Sequence, residues 1–139
     1  MRFFSLLLLS VLFVSCSSST PEDLSGEIDR LVAEEEYSRA IELLENADDR
    51  EHEADIPQLK EKTYLNYGLY LEYRGPEESS MRDRMTSALE QFIKVLEINP
   101  ENEKARTEIQ QIMGIYETMP DRSPGDEIIE DLQALGVEY

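Results

Sequence analysis

The sequence predicts an all-α protein made of antiparallel helix pairs, and three observations carry that expectation. Apolar residues recur at intervals of three and four along most of the chain, the period of a helix that buries one side. Turn residues are scarce, with six Gly and six Pro in 139 residues, while Glu, Leu, Ile and Ala are abundant. Charge is high and lopsided: 31 Asp and Glu against 13 Lys and Arg give a net −18, which suits wide solvated helix faces and makes a nucleic-acid backbone a poor partner. One Cys and one His are too few for an intrachain disulfide or a Cys/His metal cluster, so neither metal nor cofactor is expected.

The first fifteen residues differ from the rest of the chain. Arg2 precedes an apolar run, Phe3 to Val14, broken only by Ser5 and Ser10 and followed by Ser15-Cys16. One basic residue, a short apolar core and a small residue make the layout of an export signal. The run is shorter than the ~18 apolar residues a stable membrane span requires. Residues 1–15 are therefore read as a signal peptide, and residues 16–23, rich in Ser and ending near Pro21, as the modified cysteine and a flexible tether. Loss of Arg2 makes the remainder one unit more negative.

Beyond the tether the helices come in order. Leu24, Ile28, Leu31 and Val32 make a first stripe, and Ala40, Ile41, Leu43, Leu44 and Ala47 a second, parted by Glu34-Glu35-Glu36. The polar stretch Asp48 to Asp55 ends at Pro57, a residue tolerated in a first helical turn. The helix expected over about 58–73 is apolar nearly all round, with Leu59, Tyr64, Leu65, Tyr67, Leu69, Tyr70, Leu71 and Tyr73, and so belongs at the centre of the packing. Gly75-Pro76 stops it. Ser80 with Asp83 forms a capping box for the next helix, whose stripe is Met81, Met85, Ala88, Phe92 and Val95. Asn99-Pro100 ends that helix. Ala105, Ile109, Ile112, Met113 and Tyr116 mark another, running to about Thr118. Residues 119–139 read as a linker and a terminal helix, with Asp126 as its cap, Ile128, Ile129, Leu132 and Leu135 on one side, and Gly136 at its end.

Two resemblances sharpen this reading. Leu12-Phe13-Val14-Ser15-Cys16 resembles a bacterial lipobox, which implies a diacylglycerol-modified Cys16 at the mature N-terminus. Ser17 in place of Asp implies the outer membrane, facing the periplasm. An ordinary secretory signal with an incidental cysteine is the alternative. The second resemblance lies further on: Ala88-x3-Phe92-x2-Val95 with Leu96 to Pro100 is similar to the second helix and exit turn of a tetratricopeptide repeat. Tyr64-x2-Tyr67-Gly68-x2-Leu71 resembles that family's first-helix pattern, and Tyr37-x2-Ala40-x3-Leu44-x2-Ala47 an earlier copy. The interval from Gly68 to Ala88 is too long for the family by about eight residues, room for a longer second helix and a larger loop at 74–79. The resemblance covers 24–118 and implies a short right-handed solenoid with a C-terminal capping helix; a generic bundle of helical hairpins is the alternative.

In such repeats the first helix of each pair lines a concave groove that binds a peptide or a partner helix. Carried onto this chain, the groove residues are Lys62, Leu65, Asn66, Leu69, Glu72, Tyr73, Lys104, Thr107 and Gln111. Lys62 and Lys104 would meet a partner's carboxylates. The function implied is a lipid-anchored scaffold or assembly factor of the cell envelope, joined to the membrane by its lipid and to a protein partner by its groove. The rival is an accessory or small-ligand-binding lipoprotein with an apolar pocket lined by Tyr64, Tyr67 and Tyr70. Catalysis finds little support, because His52 stands alone in a polar stretch with no patterned nucleophile. The runs Glu34-Glu35-Glu36 and Asp48-Asp49 lack the alternating ligands and Gly of a calcium loop.

Overall fold

A computed structural model describes residues 21–47, 55–120 and 123–139, with side chains from Leu24 onward. The expected signal, Cys16 and His52 lie outside the described residues. Six helices make up the fold: α1 (Pro21–Ala33), α2 (Tyr37–Asn46), α3 (Ile56–Tyr73), α4 (Met81–Ile98), α5 (Glu103–Glu117) and α6 (Asp126–Ala134). Among the described residues there is no strand, so the all-α expectation holds, and the helices pack in pairs. No helix of the described residues is long and apolar enough to cross a membrane.

The two stripes of the first pair close on each other. Leu24, Ile28 and Leu31 of α1 bury against Ala40 and Leu44 of α2, with Leu59 of α3 beside them. α1 begins at Pro21, so the last part of the expected tether, residues 21–23, is helical instead; a proline in the first turn lacks only an N–H that would have no partner there. The three glutamates form the turn. Glu35 adopts a left-handed φ of 61°, and the amides of Glu35 and Glu36 reach back to Val32 and Leu31. That pattern satisfies the last carbonyls of α1. Glu35 also carries its carboxylate to Arg74 at the end of α3, 2.5 Å away.

α3 is the central helix, packing against α1, α2 and α4. Its tyrosines divide between neighbours: Tyr67 stacks on Tyr37 of α2 at 4.9 Å, Tyr70 leans on the same ring, and Tyr64 lies under Lys94 of α4. Its closest approach is to α4. A Cβ at Gly68 would sit 2.5 Å from the Phe92 ring, so only glycine lets the two helices come this near.

The larger core joins α3, α4, α5 and α6 around the fully buried Phe92, Leu89, Leu96, Ile109, Ile112, Tyr116 and Leu132. Ser80 caps α4 as expected, its hydroxyl oxygen accepting from the Asp83 amide. Met85, Ala88, Phe92 and Val95 are buried, but Met81 is 49% exposed. As the first residue of α4 it has no preceding turn to hold it on the stripe. Asn99 is extended, with φ −133° and ψ 91°, as a residue before proline must be, and Asn102 caps α5 through the Ala105 amide.

At the last helix one expectation fails. Gly125, not Asp126, occupies the cap position of α6, and Asp126 is its first helical residue. The acid therefore sits in the first turn, where the positive end of the helix dipole favours it. Gly136, with φ 64°, ends the helix as expected. Val137 N–H donates to Leu132 and Gly136 N–H to Gln133, and buried Val137 packs in the core with Leu132, a complete Schellman motif. α6 packs against α4.

Candidate functional site

α1 packs against α3, and long polar side chains tie α3 to α1 on one side and to α5 on the other. Lys62 of α3 donates to Asp29 of α1 at 2.7 Å, on the solvent side. Further along α3, Glu72 and Tyr73 meet α5. Gln111 donates to the Glu72 Oε1 at 2.7 Å and to the Tyr73 hydroxyl at 3.0 Å, and Tyr73 donates to the Glu108 Oε2 at 2.7 Å. Lys104, one turn before Glu108, pairs with its other oxygen, Oε1.

Four of the nine expected groove residues, Glu72, Tyr73, Lys104 and Gln111, thus converge on one cluster. The other five do not. Lys62 is engaged by Asp29, the Asn66 amide donates to the Lys62 carbonyl within its own helix, and Thr107 donates to the Glu103 carbonyl one turn back. Leu65 and Leu69 are half-buried against the larger core. Both lysines expected to await a partner's carboxylate already hold one from this chain. In so acidic a protein a cation finds an internal partner first.

Glu108 is the residue that sequence reasoning missed. It is only 2% exposed, and its register gave the signal: with Ala105, Ile109 and Ile112 it falls on the buried stripe of α5. A carboxylate there needs partners, and it has two, Lys104 and Tyr73. Burial opposes its charge, but the hydrogen bonds from Lys104 and Tyr73 outweigh it and hold Glu108 below the usual carboxylate range. The bond to Glu108 raises both Tyr73 and Lys104. Glu72 moves the other way: burial first, then its neighbour Glu108, push it up to about 7. Glu72 is 5% exposed, and its Oε2 meets no donor among the described residues.

Tyr73 differs from its neighbours in being 57% exposed, so the cluster presents an aromatic ring to solvent above a buried polar floor. A ring half in water above polar groups is the kind of anchor that protein interfaces use. The remaining tyrosines of α3 are packed between helices. A separate open cleft of about 520 Å³ lies between α4 and the start of α6, lined by Glu90, Lys94, Glu97, Asp126 and Asp131 among others. Among the described residues no group of three or more His, Cys, Asp and Glu side chains converges as metal ligands would. No family model matches the chain, and neither do curated proteins or solved structures.

Proposed function

We propose that this chain is a lipid-anchored protein of the cell envelope that works by protein–protein interaction, binding a peptide or helix along a face formed by α1, α3 and α5. The observation that carries the reading is the row of first helices joined by polar side chains, with Tyr73 exposed above the Glu72–Glu108–Gln111 cluster. Stacked tetratricopeptide-like pairs account for the order of packing: α1 and α2 on α3, and α5 and α6 on α4. The close approach of Gly68 to Phe92 is the contact that the repeat's small-residue position requires. In this reading the array winds as a short right-handed solenoid, and α6 caps it rather than filling the groove.

The membrane anchor rests on the Leu12-to-Cys16 pattern. Three acyl chains on Cys16 would hold the protein firmly, each buried CH₂ contributing about 0.8 kcal/mol. The test is direct. Wild type should fractionate with the outer membrane and carry acyl mass on Cys16, and Cys16→Ala should leave the membrane fraction or remain unprocessed. Membrane association that survives the substitution, with no acyl mass on the wild type, contradicts the anchor.

A further inference from the structure

We propose that Glu72 and Glu108 form a proton switch between α3 and α5: one proton, held on Glu72 and shared with Glu108, closes the two helices on each other, and its release loosens them. The proposal concerns the chain alone and stands whatever binds its surface.

The geometry leaves one position unfilled. Two carboxyls are buried together, at 5% and 2% exposure, with one ammonium beside them. Glu108 is complete, with Lys104 on Oε1 and the Tyr73 hydroxyl on Oε2. Glu72 is not, for Gln111 occupies Oε1 while Oε2 is buried without a donor. Were both carboxyls ionised, Lys104 would balance one charge, and the second would stay buried beside a like charge with an empty oxygen. A proton on Glu72 removes both defects, because the resulting hydroxyl donates to Glu108 and the remaining charge is matched by Lys104.

The titratable and polar groups that act on Glu72 are Glu108, Lys104 and Gln111 of α5, with Tyr73 beside it on α3 itself. Burial and Glu108 disfavour the Glu72 anion more than Gln111 and Lys104 favour it, which carries its ionisation from 4.5 to about 7. A carboxyl raised on folding contributes stability that is complete below its unfolded value and is lost as pH rises through its folded one. The loss therefore falls between about 4.5 and 7 and is finished just above neutrality. Glu108, lowered on folding, contributes in the opposite sense, its share being lost only as pH falls below 4.5.

The experiment uses the full chain with 13C in the Glu carboxyls, titrated from pH 4 to 9, together with amide exchange across α5 corrected for the intrinsic rate. In the wild type one Glu carboxyl should titrate near 7, and protection of the α5 amides should fall by about tenfold or more between pH 5.5 and 8. Glu72→Gln keeps a donor toward Glu108 and has no proton to lose, so the late titration should vanish and α5 protection should stay level. His52 is unchanged in that variant, which separates its titration from the switch. If no carboxyl titrates above pH 6 in the wild type, the proposal is overturned; a late titration without loss of α5 protection overturns it equally.

Discussion

Gly68 and Phe92 decide how near α3 and α4 can come. Phe92 is fully buried, so its ring has no free space to yield into, and a methyl group at Gly68 would overlap it. Gly68→Ala should lower stability by about 1–3 kcal/mol, read from urea denaturation. The control is Gly114, exposed in α5 with nothing near its missing Cβ. There the same change should stabilise by about 0.5–1 kcal/mol, because alanine favours the helix. Equal effects at the two glycines would mean that close approach has no part in the packing of this pair.

The turn from α4 to α5 is fixed from both sides. Pro100 forces Asn99 out of the helix, Asn102 caps α5, and Glu61 of α3 accepts from both asparagine amides, at 2.8 and 2.7 Å. One carboxylate thus fixes the turn to the central helix. Asn102→Ala removes the cap and the bond to Glu61 together and should lower stability by about 1–2 kcal/mol in the same assay; a loss within error of zero would show the turn to be held by packing alone. Helical periodicity made these elements legible, because each buries a single stripe, and Asn99-Pro100 and Gly136 marked ends by local backbone chemistry alone. Less legible were the starts. Pro21 is helical ahead of the first apolar residue, and Gly125 displaces Asp126 as the cap because an acid in a first turn is stabilised nearly as well one position later. Met81 has the right spacing and still faces solvent, since periodicity carries no information about where the partner helix ends.

For the whole molecule, the sequence placed several groove residues on the right helices and could not say which would meet. Glu72, Tyr73, Lys104 and Gln111 converge because α5 lies beside α3, a fact of tertiary packing. Glu108 stayed hidden because a glutamate in an acidic chain reads as solvated surface unless its register is weighed against its charge. The pairing of Lys62 with Asp29 likewise depends on α1 lying against α3. The molecule thereby divides its labour between two sets of helices. α4, the second helix of its pair, supplies much of the larger core, while α1, α3 and α5 hold the Lys62–Asp29 pair, the Glu72–Glu108 cluster and the exposed Tyr73. On the proposed function, partners bind across those first helices. Photocrosslinking side chains placed singly at Lys62 and Thr107, on that face, and at Glu90 and Asp131, in the α4–α6 cleft, test it in intact cells. One specific adduct should be shared by Lys62 and Thr107 and be absent at Glu90 and Asp131. A specific adduct from the cleft positions, with none from Lys62 or Thr107, would contradict it.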